Sequence, residues 1–155
     1  MKIGIGYDVH NFKTGRELIL GGVEIDYYQG LAGHSDADVL VHSIMDAILG
    51  ACGLGDIGIH FPDNDIRYKD ISSLLLLEKV KEKMESRKLS IVNIDCILIL
   101  EKPKIFQYFS EMKKNLSQVL KINKEMINIK ATTTEGLGFC GRGEGIAAES
   151  VVLLE

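Results

Sequence analysis

With 155 residues, 46% of them hydrophobic and 26% charged, the chain has the composition of an ordinary globular protein, and we expect residues 1–155 to form a single domain. The net charge of −4, without a basic stripe that carries aromatic residues, excludes a nucleic-acid-binding surface. No apolar run is long enough to span a bilayer, so we expect no membrane association.

The three cysteines are Cys52, Cys96 and Cys140, an odd number without CxxC spacing. This pattern indicates a reducing compartment, because it offers no disulfide framework. The expected location is therefore cytoplasmic, although a mature plastid protein without its transit peptide would have the same features.

Apolar periodicity and turn residues divide the chain into strands and helices. In chain order, the predicted elements are a strand at 3–7, a β-hairpin at 18–25, a loop at 27–33, a first helix that ends near Gly53, a loop at 56–70, a helix at 72–88, a strand at 89–100, a helix at 103–121, a strand at 127–132, a glycine-rich turn and a last strand at 146–153. Ser35 and Asp36 are predicted to cap the first helix, and Pro103 is predicted to open the third. This order favours an α+β fold, a mixed β-sheet with helices packed on one face.

Two short segments carry residues that could bind a metal ion. Asp8 and His10 are two residues apart at the end of the first strand, so their side chains point the same way. His42 lies on the first helix with Asp38 and Asp46 one turn away on either side, where a carboxylate could orient its ring. If residues 8, 10 and 42 meet, they form an Asp-His-His set with a fourth position open, as in catalytic zinc sites. Alternatively, His42 is a helix-surface histidine in ordinary ion pairs.

The glycine-rich turn at 136–141 matches G-x-G-x-x-G, but its context excludes a dinucleotide fingerprint. That fingerprint opens a helix and has an acidic residue about 20 positions further on, whereas only 14 residues follow here and they have the pattern of a strand. The preceding segment 132–135, Thr-Thr-Thr-Glu, offers hydroxyls, amides and a carboxylate that could bind phosphate and Mg²⁺. The plainer interpretation, threonines in a strand and glycines in a turn, also stays open.

Several distinctive blocks of the sequence together resemble one family. They are Asp8-Val9-His10, Gly33–Asp38, Leu54–Gly58 with Phe61–Asp63, Lys130–Glu135 and Gly141–Gly145. The chain resembles, nearly from end to end, the 2-C-methyl-D-erythritol 2,4-cyclodiphosphate synthase family of non-mevalonate isoprenoid biosynthesis. The resemblance implies a homotrimer with active sites between subunits. Each site would bind a small-molecule cytidine diphosphate, 4-diphosphocytidyl-2-C-methyl-D-erythritol 2-phosphate, and convert it to the cyclic diphosphate and CMP.

The resemblance also implies roles for individual residues. The Asp-His-His set of residues 8, 10 and 42 would hold one Zn²⁺ per subunit, and Glu135 would hold Mg²⁺ or Mn²⁺. His34 and Thr133 would be catalytic, by stabilising the transition state. The substrate-binding residues would be Ser35, Asp56, Ile57, Gly58, Phe61, Asp63, Asp65, Leu100, Pro103, Lys104, Ile105, Phe106, Thr132, Thr134, Phe139 and Arg142.

Within that set, residues 100–106 would surround the cytosine, and Asp56, Gly58 and Asp63 would face the erythritol unit. The chain departs from the family pattern at Gly136, where members usually carry Lys, which removes a cation beside the phosphates. None of the implied metal ligands is altered. Two other functions use the same residues: a zinc-dependent phosphohydrolase, which would activate water, and a non-catalytic CDP-binding module.

Overall fold

The computed structural model describes residues 1–155 as seven strands and five helices. The strands are β1 (Lys2–Lys13), β2 (Leu18–Leu20), β3 (Val23–Ile25), β4 (Gly30–Leu31), β5 (Ile91–Ile99), β6 (Ile127–Thr132) and β7 (Gly145–Leu154). The helices are α1 (Val39–Cys52), α2 (Ile57–His60), α3 (Ser73–Ser86), α4 (Phe109–Leu120) and α5 (Gly138–Gly141). Short 3₁₀ turns lie at Ile66–Tyr68, Phe106–Tyr108 and Lys124–Met126.

Five of the strands form one mixed sheet in the order β4-β1-β7-β5-β6. Neighbours in the sheet are antiparallel except β5 and β6, which are parallel. β2 and β3 form a separate hairpin, as the Gly-Gly turn predicted. The predicted loop at 27–33 contributes β4, which pairs with the end of β1. Helix α1 packs on β1 and β7, while α3 packs against α1 and α4.

Two glycines allow α1 to lie directly against β1. A Cβ on Gly4 would stand 1.8 Å from the carbonyl oxygen of Ala47, and a Cβ on Gly6 would stand 1.9 Å from that of Ser43. Neither position can carry a side chain while the helix stays in place. Twelve of the 14 residues of α1 are buried. The even-numbered residues that follow on β1 point toward the same helix, because strand side chains alternate.

The opposite face of the sheet is open along β1. Ile3, Ile5 and Tyr7 point away from the helices and are 72%, 63% and 54% exposed. The buried residues of β5, such as Ile94, Cys96 and Leu98, lie on the helical side. The predicted α+β fold, a mixed sheet with helices packed on one face, is therefore confirmed.

Helix α1 begins later than predicted, with Asp38 as its cap rather than Ser35 or Asp36. Ala37 has a φ of 58°, a left-handed conformation that a right-handed helix cannot include. Asp38 follows it in an extended conformation, and its side chain accepts a hydrogen bond from a backbone N–H in the first helical turn. The other end agrees with prediction, because Gly53 closes the helix with a φ of 68°.

Two predictions for the middle of the chain are wrong. The predicted loop at 56–70 contains α2 and a 3₁₀ turn, because Asp56 and Asp65 cap them within a stretch too short to show a helical period. Pro103 does not open α4, because residues 101–103 form a bend and not a helical turn. That helix begins only at Phe109, after a 3₁₀ turn.

All three cysteines are buried and unpaired, in agreement with the absence of a disulfide framework. None of the helices combines the length and apolar character needed to cross a membrane.

Candidate functional site

Three potential metal ligands meet between β1 and α1. The Oδ2 atom of Asp8 lies 3.0 Å from Nε2 of His10 and 3.0 Å from Nδ1 of His42. The two ring nitrogens are 3.1 Å apart, so the three atoms form a nearly equilateral triangle. The prediction that residues 8, 10 and 42 meet is therefore confirmed, and we call this group the triad.

The triad has the chemistry and the size of three corners of a tetrahedral metal site. Two imidazole nitrogens and a carboxylate oxygen are ligands that Zn²⁺ accepts, at bond lengths of about 2.0–2.2 Å. Tetrahedral geometry then places ligand atoms roughly 3.3–3.5 Å apart, so an ion would open the triangle only slightly. The chain holds no second cluster of three such ligand atoms.

The pKa shifts of Asp8 and His42 both favour positive charge at the triad. Burial by itself would raise the pKa of the Asp8 carboxyl, but hydrogen bonds from His10 and His42 outweigh burial and hold that pKa well below its usual range. Burial likewise disfavours a charged His42, yet the hydrogen bond and the charge of Asp8 raise the pKa of its imidazole. Asp8 therefore stays ionised at neutral pH and favours a cation beside it, either a proton on His42 or a metal ion.

On its Nε2 side the ring of His42 is held by serines, and neither Asp38 nor Asp46, the carboxylates that could have oriented it, contacts the ring. Asp38 accepts backbone hydrogen bonds from the N-terminus of α1 and from the β2–β3 turn. Asp46 accepts a backbone hydrogen bond from the start of α2. On the ring itself, Nε2 lies 2.9 Å from Oγ of Ser73 and 3.2 Å from Oγ of Ser35.

A cavity of about 350 Å³ opens beside the triad. The expected site residues that line this triad cavity are Asp8, His10, His34, Ser35, His42, Ile57, Gly58, Phe61 and Asp63. Met45, Tyr68 and Leu76 also line it and give it apolar wall. The carbonyl of His34 accepts the N–H of Asp70 at 2.8 Å, which fixes the backbone of the loop that carries it.

A second cavity, of about 190 Å³, lies where β5 and β6 end. These strands are parallel neighbours, so their carboxyl ends reach the same edge of the sheet, where the N–H of Leu100 donates to the carbonyl of Thr132 at 3.0 Å. The expected site residues that line this strand-end cavity are Leu100, Pro103, Lys104, Ile105, Phe106, Thr132 and Thr133. The two cavities share no lining residue, so one chain holds the expected site in two separate parts.

Six expected site residues line neither cavity. They are Asp56, Asp65, Thr134, Glu135, Phe139 and Arg142. Asp65 and Arg142 each form an ion pair with the residue two positions further along the chain. Asp56 caps α2. The exposed carboxylate of Glu135 accepts a hydrogen bond from the hydroxyl of Thr133 at 3.2 Å and remains accessible to a cation.

Glu101 lies in the range 100–106 expected around the cytosine, but sequence reasoning missed its role in holding the neighbouring turn. Its Oε1 atom accepts the N–H of Thr134 at 2.9 Å and the N–H of Gly136 at 3.4 Å. These bonds hold the turn that carries Glu135, whose backbone is in the left-handed region with a φ of 55°. Glu101 also lines the strand-end cavity. The available signal was a carboxylate immediately after a predicted strand.

Arg16 is a second residue that was missed. Its guanidinium donates to the carbonyl oxygens of Gly33 at 3.0 Å and Ser35 at 2.6 Å, on either side of His34. It therefore fixes the loop that enters α1 beside the triad cavity. An isolated arginine near a turn gave no signal in the sequence.

Comparisons with known proteins match this chain over its whole length. Residues 1–155 match the sequence profile described as the YgbB family. A protein of Clostridium botulinum (strain Okra / Type B1), named 2-C-methyl-D-erythritol 2,4-cyclodiphosphate synthase, is 58% identical over 155 residues, which are 100% of both chains.

Solved structures agree as well. The bifunctional IspDF of Campylobacter jejuni has a TM-score of 0.95 at 45% identity, over 99% of this chain and 42% of that one. The CDP complex of IspF from Plasmodium falciparum has a TM-score of 0.87 at 36% identity, over 99% of this chain and 94% of that one. Because profile match and identity both extend along all 155 residues, as the sequence blocks predicted, the chain belongs to the YgbB family.

Proposed function

We propose that this protein is an enzyme that cyclises 4-diphosphocytidyl-2-C-methyl-D-erythritol 2-phosphate to 2-C-methyl-D-erythritol 2,4-cyclodiphosphate and CMP, in non-mevalonate isoprenoid biosynthesis. The observation that carries the proposal is the triad beside a cavity of about 350 Å³, in a chain 58% identical to a named cyclodiphosphate synthase. The structure of IspF from Plasmodium falciparum is a CDP complex, which supports a cytidine nucleotide as the ligand of this protein.

The proposed reaction is an intramolecular phosphoryl transfer. An oxygen of the 2-phosphate forms a bond to the β-phosphorus, and the bond from that phosphorus to the bridging oxygen breaks. CMP leaves with that oxygen and its electron pair, and no water is consumed. Because an ionised phosphate is already a nucleophile, the protein needs no strong general base. Its work is to bring two ends of one molecule together, a positioning effect worth up to about 7–11 kcal/mol.

The triad residues Asp8, His10 and His42 would hold one Zn²⁺ per subunit beside the triad cavity. When bound, Zn²⁺ would act as a Lewis acid toward a phosphoryl oxygen of the substrate. Glu135 would hold Mg²⁺ or Mn²⁺, because its carboxylate has only the hydroxyl of Thr133 as a partner. One or two carboxylates together with substrate phosphates are the usual ligands of Mg²⁺.

The remaining polar residues would bind and orient the substrate. His34 and Ser35, at the wall of the triad cavity, would donate hydrogen bonds to a phosphate of the substrate. Asp63 and Gly58 face the same cavity and would contact the erythritol unit. In the strand-end cavity, Thr133 would bind the α-phosphate, and the turn at 100–106 would surround the cytosine.

We further propose a homotrimer in which the strand-end cavity of one subunit adjoins the triad cavity of the next. Two observations support this arrangement. The cavities share no residue within a chain although one substrate must reach both. The open sheet face carries Ile3, Ile5, Tyr7 and Val9, all exposed, and an apolar row of this kind is typical of a surface that another subunit covers.

Incubation of the pure protein with the diphosphocytidyl substrate, Zn²⁺ and Mg²⁺, followed by ³¹P NMR, tests the proposal. The expected products are CMP and a cyclic diphosphate in equal amounts. Inorganic phosphate with uptake of water would instead identify a zinc-dependent phosphohydrolase. Binding of CDP without any product would identify a non-catalytic CDP-binding module, and either result would overturn the proposed cyclisation.

A further inference from the structure

A chain of hydrogen bonds runs from the triad to a carboxylate in the loop before α1. On one side of the His42 ring, Nδ1 lies 3.0 Å from Asp8. On the other side, Nε2 lies 2.9 Å from Oγ of Ser73. The Ser73 hydroxyl donates to Oδ1 of Asp36, and the Ser73 backbone N–H donates to Oδ2 of the same carboxylate at 2.9 Å. His42 and Ser73 are buried, with 7% and 0% exposure.

The carboxylate of Asp36 sets the direction of the two bonds that link it, through Ser73, to Nε2 of His42. An ionised Asp36 only accepts, so the single hydroxyl proton of Ser73 is committed to it. The Oγ of Ser73 must then accept the proton on Nε2 of His42. A neutral imidazole with its proton on Nε2 carries its lone pair on Nδ1, which is the nitrogen that faces Asp8. Ser35 offers Nε2 a second, longer contact at 3.2 Å.

We propose that Ser73 and Asp36 are positioning residues that select the tautomer and fix the ring of His42 for metal binding through Nδ1. The inference rests on the proposed metal-binding role of the triad and deepens it. Ser73 and Asp36 do not line the triad cavity, so they act through His42 rather than on the substrate. Partners of this kind on the far side of a metal-binding histidine raise metal affinity, because they hold the ring ready.

A competing explanation is that the same bonds only attach α3 to the loop before α1. The α3 cap, Ser72, makes no side-chain capping bond, and Asp36 accepts the N–H of Ser73 in its place. Loss of Asp36 or Ser73 would then lower the stability of the fold without changing the metal affinity of the triad. The experiment must therefore measure metal binding and stability separately.

The first test compares the zinc affinities of Ser73→Ala and the native protein by competition with a chromophoric chelator, at a temperature where both are folded. Removal of the Ser73 hydroxyl is expected to weaken zinc binding by about 10–100-fold. Ser72→Ala is the matched control, because its exposed neighbouring hydroxyl makes no bond to the ring, and its affinity is expected to be unchanged. Equal affinities of Ser73→Ala and the native protein would overturn the inference.

The second test reads the tautomer of His42 by ¹⁵N NMR of the metal-free Asp8→Ala protein, at a pH where the ring is neutral, because an ionised Asp8 would compete for the proton on the Nδ1 side. With that acceptor removed, the proton is expected on Nε2, where Oγ of Ser73 accepts it. In the double variant Asp8→Ala/Asp36→Asn, the new amide N–H can donate to Oγ of Ser73, which frees the Ser73 hydroxyl to donate to Nε2 and shifts the proton toward Nδ1. An unchanged tautomer with a lowered melting temperature would favour the purely structural explanation and contradict the inference.

These measurements also separate the inference from the proposal beneath it. If the native protein binds no zinc, or if His42→Ala binds zinc as tightly as the native protein, the metal assignment of the triad is wrong. If the native protein binds zinc through His42 and Ser73→Ala binds it equally well, only the positioning role is wrong.

Discussion

The two halves of the proposed site are built in opposite ways. The triad lies on a strand and a helix that press against each other in the core, and each of its side chains already has partners within the chain. The strand-end cavity is formed by residues that follow β5 and β6, and one of its walls, Phe106, is 82% exposed. The contrast suggests that the triad cavity, the proposed metal half, is preorganised. The strand-end cavity, the proposed nucleotide half, would be completed by a ligand or a neighbouring subunit.

The largest expected effect comes from breaking the metal half. His42→Ala removes one ligand of the triad, and turnover is expected to fall at least about 10³-fold because the Lewis acid is lost. The subunits should still assemble, since His42 lies away from the open sheet face. Steady-state CMP release and analytical ultracentrifugation check both statements. Native turnover in this variant would refute the zinc assignment.

The next prediction tests whether the halves come from different subunits. His42→Ala alters the triad cavity and Thr133→Ala alters the strand-end cavity, and each variant alone is expected to be inactive. After joint unfolding and reassembly of equal amounts, each mixed trimer should have one site in three with two intact halves, which is about a quarter of all sites in the mixture. Recovery of that share of native CMP release is expected. Separately assembled variants mixed without unfolding are the control, and no recovery after reassembly would contradict a shared site.

The close contact of β1 with α1 can be broken without touching a ligand. Gly6→Ala would place a Cβ 1.9 Å from the carbonyl oxygen of Ser43, so the helix must move, at a cost of about 3 kcal/mol in the free energy of unfolding. Zinc affinity should fall as well, because the movement carries His42 away from β1. Chemical denaturation and chelator competition measure the two effects.

Gly50→Ala is the matched control for this substitution. Gly50 lies on the same helix, and a Cβ there would meet only a carbonyl oxygen 3.8 Å away. Alanine is therefore expected to stabilise the helix by about 0.5–1 kcal/mol. A Gly6→Ala variant as stable as Gly50→Ala would show that the helix does not need the glycine.

A smaller effect is expected in the nucleotide half. Glu101→Ala removes the acceptor that holds the turn with Thr134 and Gly136, so KM for the substrate should rise about tenfold. Zinc affinity should not change, because Glu101 does not line the triad cavity. Glu101→Gln keeps an acceptor oxygen and serves as the control, with KM near the native value. A loss of zinc affinity in Glu101→Ala would mean that the halves are not independent.

The smallest prediction is a difference in titration between a core carboxyl and a surface carboxyl. Burial raises the pKa of Asp38 to about 6, whereas the hydrogen bond from the Arg67 side chain lowers the pKa of Asp65 to about 2. ¹³C NMR of the carboxyl carbons should show both midpoints. Titration of Asp38 near pH 4 would contradict its burial.

The two carboxyls also act oppositely on stability. Folded Asp38 binds its proton more tightly than the unfolded chain does, so its contribution to the free energy of unfolding falls as the pH rises from about 4 to 6. Folded Asp65 binds its proton more weakly, so its contribution is present above about pH 4 and is lost as the pH falls toward 2.

The meeting of the three triad residues could be predicted from sequence because they lie in short blocks with clear local geometry. Asp8 and His10 share a strand face, and that alternation holds in the structure. The partners of His42 could not be predicted in the same way. The helix suggested Asp38 and Asp46, but both carboxylates accept backbone hydrogen bonds elsewhere, and the ring contacts Ser73, 31 residues away.

The fold, too, could be predicted where local sequence patterns decide it and not where contacts between distant residues do. The strand at 127–132 was predicted to the residue, since its apolar alternation is local. The late start of α1 follows from the left-handed Ala37, which no propensity indicates. The outward direction of Ile3 and Ile5 depends on which face of β1 meets a helix, and Gly4 and Gly6 decide that because they leave room for α1 on the other face.

Gly4 and Gly6 would complicate a search for active-site residues by mutation. A survey of every substitution along the chain should score both positions as intolerant as the ligands themselves, because any larger residue displaces α1. Ranked by sensitivity alone, they would be mistaken for chemical participants. Only a measurement that records folding and turnover side by side would distinguish these two glycines from the three proposed metal ligands.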